Sequence, residues 1–212
     1  MKTAISLCDK SGVMMEPWAE AGYTCYCVDL QHLVRKDIIK EVGKGKIIFT
    51  YGDARYWTPP KEVTEIVFVS CFPTCTNMAG SGAQDYSNKN DRIPKKGIPQ
   101  LMDGLMLFNS CYQVASWSRA AFLCENPSGI IPTHFRKADY TFHPWYWGDM
   151  YSKKTCLWTG NGFVMPEAEY ISKPDEVKQD IWLMTPGKDR ANKRSETPEG
   201  FAKAVFESNN KV

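Results

Sequence analysis

The 212-residue sequence has little net charge, +2 at neutral pH. A strongly basic balance, which would argue for nucleic acid by itself, is absent, so any basic face has to be local. No run approaches the roughly 18 consecutive apolar residues of a membrane span, and no membrane partner is expected. Paired metal ligands are also lacking. Cys71 and Cys75 lie four apart, but no second cysteine pair and no histidine pair answers them, so zinc is not expected. There is no internal repeat and no low-complexity tract. The N-terminal run has one lysine, a short apolar stretch and then Asp9, without a small-residue cleavage site. It reads as a buried first strand and not as a signal peptide.

What is present is an ordinary globular composition, 43% hydrophobic and 24% charged. The length fits one domain with a full-sized core. Eight cysteines are many, yet they are scattered through apolar runs, and without a secretion signal they read as the reduced thiols of a cytoplasmic protein.

Short β-rich runs alternate with helical stretches. The runs are Ala4–Cys8, Thr24–Leu30, Lys46–Tyr51, Glu65–Cys71 and Ala120–Cys124. Helices are predicted over Val13–Ala21, stopped by Gly22, over Leu33–Val42, stopped by Gly43, and over Ile98–Ser118. In the last of these, Ile98, Leu101, Leu105, Phe108, Tyr112 and Ala115 form a continuous helical stripe. The alternation predicts an α/β fold, a mostly parallel sheet flanked by helices.

Ligands of such sheets bind beyond the carboxyl ends of the strands. The first strand ends in Asp9-Lys10-Ser11-Gly12, the second in Asp29, and the third in Gly52-Asp53. The fourth ends in Pro73-Thr74-Cys75 and the fifth in Glu125-Asn126-Pro127. An acid at the second strand end commonly holds ribose hydroxyls, which makes Asp29 a candidate for a nucleoside-bearing cofactor and Asp53 a candidate acceptor for an adenine amine. Asp9, Ser11 and Gly12 would line the first turn, which holds only one glycine. Cys75, just past a strand in a turn of small and polar residues, is the candidate nucleophile. Glu125 supplies a carboxyl on the neighbouring strand end. A thiol and a carboxyl facing one pyrimidine suit addition at C6 with proton donation at N3.

The order of these pieces resembles the cytosine-C5 DNA methyltransferase family, in particular its short phage-type members. Phe72-Pro73-Thr74-Cys75 with Ala79-Gly80-Ser81-Gly82 is similar to that family's Pro-Cys loop, and Glu125-Asn126-Pro127 to its Glu-Asn-Val segment. Arg194-Ser195-Glu196-Thr197-Pro198-Glu199-Gly200-Phe201-Ala202 resembles the final motif, which in the family returns to the cofactor site. The resemblance spans most of the chain. It implies a Rossmann-like S-adenosylmethionine-dependent fold, with Cys75 and Glu125 catalytic. It implies a cofactor site of Asp9, Ser11, Gly12, Asp29, Asp53, Pro73, Ser195 and Thr197. It also implies methylation of cytosine in DNA in a bacterial or phage-infected cell. Thr74 stands where the family has proline, the first loop lacks Phe-x-Gly-x-Gly, and no Gln-x-Arg-x-Arg follows Glu125.

For substrate, Asn126 follows the acid directly. Arg92 and Lys95 lie in the polar loop Ala83–Gly97, which would meet phosphates on closing. Arg136, or Lys153 with Lys154, would stand in for the missing arginine motif. The expected organisation is a core over residues 1–127, an aromatic and basic segment over 128–184 as a reduced recognition region, and a returning segment over 185–212. Most of the aromatics of that middle segment are expected to pack in the core, while some would stack bases.

Three alternatives stay open on sequence. One is the same chemistry on RNA or a free cytosine nucleotide. Another is an amino-group methyltransferase with Asn126-Pro127-Ser128 as an altered Asn-Pro-Pro-Tyr motif, although that motif belongs after the fourth strand and needs no cysteine. The third is a non-enzymatic fold that only binds nucleic acid or a partner.

Overall fold

The computed structural model describes residues 1–80, 97–177 and 190–210. Eight strands form one sheet: β1 (Lys2–Leu7), β2 (Thr24–Asp29), β3 (Ile38–Val42), β4 (Gly45–Tyr51), β5 (Glu65–Cys71), β6 (Ala121–Pro127), β7 (Tyr140–Phe142) and β8 (Thr155–Gly160). The helices are α1 (Glu16–Glu20), preceded by a 3-10 turn at Val13–Met15, then α2 (Ile98–Trp117), α3 (Ile131–His134), α4 (Arg190–Ser195) and α5 (Glu199–Asn209).

The strand order is β3-β4-β2-β1-β5-β6-β8-β7. Its inner part, β4-β2-β1-β5-β6, is parallel throughout. The chain winds outward from β1 to β2 and β4, then crosses back to β5 on the other side of β1. That is the 3-2-1-4-5 order of the doubly wound, Rossmann-like sheet, and it opens a crevice between the carboxyl ends of β1 and β5. The expected α/β architecture is therefore present.

β1 and β2 are buried almost end to end, as strands covered on both faces must be. On one face Trp18 of α1 stacks on Phe68 of β5 at 4.8 Å, and Phe206 of α5 meets it edge-on at 5.1 Å. On the other face Phe108 and Cys111 of α2 pack with Val69, Phe122 and Trp158. The helical stripe read over Ile98–Ser118 is this α2.

The structure corrects the segment Leu33–Val42. Instead of a helix, its second half is β3, antiparallel to β4 with Val42 opposite Gly45. Ile38, Ile39 and Val42 are β-branched and favour extended backbone, and Gly43-Lys44 makes a two-residue hairpin turn. Gly43 has φ 56°, and a Cβ there would sit 2.6 Å from the Glu20 Cα, so this turn demands glycine.

The segment 128–177 does not stand apart from the core. β8 pairs antiparallel with β6, and β7 with β8, extending the same sheet. Phe142, Trp147 and Trp158 are buried, with Phe142 stacked on Phe201 of α5 at 4.2 Å. The aromatic density thus serves the core at these positions.

Candidate active site

β5 and β6 run in parallel register up to Cys71 beside Cys124. Beyond that point β5 gives way to the turn carrying Cys75, whereas β6 continues to Pro127 because β8 pairs with it on its other side. Glu125 therefore lies inside a strand and not past its end, opposite Leu157.

The Cys75 turn is held at both ends by residues 126–130. Asn126, fully buried, donates its side-chain amide to the Pro73 carbonyl at 2.7 Å. The Gly80 N–H donates to the Ser128 carbonyl and the Ile130 N–H to the Met78 carbonyl, each at 3.0 Å. Inside the turn the N–H groups of Met78 and Ala79 both donate to the Cys75 carbonyl. Asn126, a sequence candidate for substrate contact, thus spends its amide on positioning the loop of Cys75. Pro73, a cofactor candidate, is buried and accepts that bond.

Cys75 is half-buried. Its thiol is pushed above its ordinary value, first by burial and then by the negative charge of Glu125, while Lys153 and Arg194 pull it down. Glu125 and Lys153 face each other at 3.6 Å, both largely buried, at 13% and 15% side-chain exposure. The Oε1 atom of Glu125 is buried and accepts no hydrogen bond among the described residues. A small pocket lies over this pair, lined by Phe72, Glu125, Lys153, Thr155, Ser195 and Thr197. The C-terminal segment therefore returns to the sheet beside Glu125 and Lys153. Thr197 is buried there, and Ser195 donates its hydroxyl to the Asn192 carbonyl.

At the carboxyl end of β1, Asp9 is buried and its carboxylate builds the turn that follows. Its Oδ1 accepts the N–H groups of Ser11 and Gly12 and the Ser11 hydroxyl, and its Oδ2 accepts Ser6. Gly12 takes φ 76°, and a Cβ there would press on the Phe49 ring at 2.8 Å. Asp29 closes β2, half-buried, with its Oδ1 accepting the Gln31 N–H at 2.7 Å. Asp53 is placed past β4 as expected, but both its oxygens accept from Arg55, Oδ1 from its backbone N–H and Nε and Oδ2 from Nε and Nη2, which holds the carboxyl below its usual range. The residues fit a nucleoside-bearing group at the ribose end, through Asp29 and the Gly12 turn. They do not fit Asp53 as an acceptor for an adenine amine, because Arg55 already fills it.

Arg136 is held elsewhere. It pairs with Asp139 at 2.6 Å and lies against the rings of Tyr112 and Phe135, on the face covered by α2. The structure does not make it a stand-in for the arginine motif, whereas Lys153 comes to Glu125. Arg92 and Lys95 lie outside the described residues. Sequence reasoning missed Arg55 and Thr155, and it placed Phe72 in the Cys75 loop without giving it a place in the pocket. Only the Asp53-x-Arg55 spacing carried a signal in advance, since an acid two residues before an arginine is placed to pair with it locally. Among the described residues no three acidic, histidine or cysteine side chains converge as metal ligands, and no helix is long and apolar enough to cross a membrane.

No family model matches the chain, and no curated protein matches it. Among solved structures the chain is similar to one from E. coli described as a DNA modification methyltransferase encoded within a prophage. Identity is 15% and the TM-score 0.49, over 76% of this chain and 46% of that one. The chain thus spans less than half the length of that protein. The fold stated above rests on the strand order itself.

Proposed function

We propose that this chain transfers a methyl group from S-adenosylmethionine to C5 of cytosine in DNA, with Cys75 as the nucleophile and Glu125 as its acid partner. The observation that carries the reading is the electrostatic pairing of a half-buried thiol with a buried carboxylate on the next parallel strand, whose Oε1 accepts no hydrogen bond among the described residues and lies 3.6 Å from Lys153.

The pairing accounts for how a protonated thiol becomes a nucleophile. Net transfer of the Cys75 proton to the Glu125 carboxylate gives a thiolate and a carboxylic acid together, with no change in total charge. The thiolate then adds to C6 while the acid donates to N3 of the ring. Donation at N3 leaves electron density at C5, which takes up the methyl group. Loss of the C5 proton and elimination of the thiol restore the aromatic ring. Lys153 keeps positive charge beside the carboxylate and steadies it between these states. When bound, S-adenosylmethionine supplies the electrophilic methyl group. Asp29 would hold its ribose, and the turn of Ser11 and Gly12 would approach it through backbone.

The test is transfer from labelled S-adenosylmethionine to duplex DNA, single-stranded DNA, RNA and dCMP, followed by digestion to nucleosides. Label in 5-methylcytosine from DNA that disappears in Cys75→Ser supports the reading. Label on an exocyclic nitrogen overturns it, and label only in RNA or dCMP moves the chemistry to another substrate. A covalent adduct with DNA containing 5-fluorocytosine tests Cys75 directly.

A further inference from the structure

Four cysteines outside the site lie in one chain of contacts beneath α2. Cys8 follows β1, Cys71 closes β5, Cys111 sits in the middle of α2 and Cys124 lies on β6. The Cys8 and Cys111 sulfurs are 3.9 Å apart, and the Cys71 thiol donates to the Cys111 carbonyl at 3.6 Å. The four do not gather around one point as a metal-ligand set would. They form a row in which Cys71 interacts with both Cys111 and Cys124, and the Cys8 and Cys111 sulfurs meet at its open end.

That pair is unlike the others in three ways. Cys8 is half-buried while Cys111, Cys71 and Cys124 are buried, so one end of the row is open to a small reagent. Cys8 adopts φ 56°, a left-handed conformation uncommon for a residue with a side chain, and this is the backbone that aims its sulfur at α2. Cys8 also directly precedes Asp9, whose carboxylate builds the first turn.

We propose that Cys8 and Cys111 are a two-electron thiol–disulfide couple that fastens the turn after β1 to α2. With a peroxide as oxidant, one thiol is oxidised to the sulfenic acid, releasing one water. Attack by the second sulfur then forms the S–S bond and releases another. Both thiols lose their protons, and the peroxide O–O bond is reduced. A dithiol reductant reverses the step. The sulfurs must close by about 1.9 Å to reach bonding distance, a shift that side-chain rotation and the turn can share. The contact with the Cys111 thiol, then burial, then the negative charge of Asp29 and Asp53 hold Cys8 protonated, so peroxide reacts through its minor thiolate fraction. The couple does not depend on the reading of Cys75, and its cross-link is read by mass alone.

The experiment treats the intact chain, as wild type and as Cys75→Ser, with a small molar excess of hydrogen peroxide, followed by blocking of free thiols and mass mapping without reduction. The expected result in both proteins is a loss of two mass units and a peptide pair joined through Cys8 and Cys111, both reversed by dithiothreitol. Cys8→Ser, at the half-buried end, keeps its fold and loses the cross-link. Peroxide that leaves Cys8 and Cys111 free, joins other cysteines, or carries Cys8 to the sulfinic acid with no cross-link overturns the proposal. If methyl transfer is absent from every substrate while the cross-link forms, the function proposed above fails and this couple stands.

Discussion

The side-chain amide of Asn126 donates to the Pro73 carbonyl at 2.7 Å, joining the end of β6 to the turn that carries Cys75. Both partners are buried, so neither has water to replace the other. Replacing Asn126 with Ala leaves the Pro73 carbonyl unsatisfied, and a buried unsatisfied group costs about 1–3 kcal/mol. Equilibrium denaturation of Asn126→Ala should show a loss in that range. Methyl transfer at full substrate should fall further than the fraction unfolded explains, because the nucleophile is no longer held at its angle.

The charges around Cys75 act in opposite directions, and each can be removed alone. Glu125 raises the thiol and Lys153 lowers it. Glu125→Gln should therefore shift the alkylation profile of Cys75 by iodoacetamide to lower pH, and Lys153→Met should shift it to higher pH. In each protein the rate rises with pH as thiolate forms, about tenfold per unit below the thiol's own pKa. Mapping the modified peptide against pH separates Cys75 from the other thiols. Shifts in the same direction for the two variants would sink the assigned pairing.

The two cofactor acids should part company. Asp29 is half-buried and its Oδ1 accepts a backbone N–H in its own turn, so Asp29→Ala should leave stability within about 0.5 kcal/mol. If Asp29 holds ribose, the same change should weaken S-adenosylmethionine by about tenfold, near 1.4 kcal/mol. Asp53→Ala should do the reverse. It releases Arg55 from two close contacts, affecting local order but leaving cofactor affinity nearly unchanged. Calorimetric titration with each variant checks both.

Stability should fall steeply on the alkaline side. Burial raises the thiols of Cys27 and Cys71 well above their ordinary value and that of Cys25 to about 12. These groups keep their protons in the folded chain where the unfolded chain has lost them. Folded protein therefore binds more protons, and stability decreases as pH rises through the unfolded thiol pKa of about 8.5. Each such thiol contributes about 1.4 kcal/mol per pH unit above that point, up to its folded value. Urea midpoints measured under reducing conditions should be flat from pH 6 to 8 and drop from pH 9 to 10.

Much of the inner sheet was legible because its signals are local. β1, β2, β4, β5 and β6 are apolar runs bounded by glycine or acids, and α2 carries its own stripe. The order of acids, thiol and carboxyl on successive strand ends followed from those boundaries alone. β3 was not legible: it lies at the sheet edge with both faces exposed, so it has no alternation, and its isoleucines imitate a helical spacing. The continuation of β6 past Glu125 depends on β8, about thirty residues later in the chain. Lys153 reaches Glu125 only through that pairing, which explains why sequence left it level with Arg136. The Arg55 clamp on Asp53 was overlooked for the opposite reason, since a short-range ion pair hides inside a turn that otherwise reads as a ligand site.

The antiparallel entry of β8 between β6 and β7 also sets an order of assembly. The parallel half of the sheet brings Cys75 and Glu125 side by side from residues before 128. The cation next to them comes from the segment leading into β8, and two walls of the pocket come from residues 195 and 197. Pairings between such distant segments close late, after the nearer contacts have formed. A chain part-way through folding therefore holds Cys75 and Glu125 without the Lys153 cation that lowers the thiol. The charge balance around Cys75 is completed by the last third of the chain and not by the strands that carry the thiol and the carboxyl.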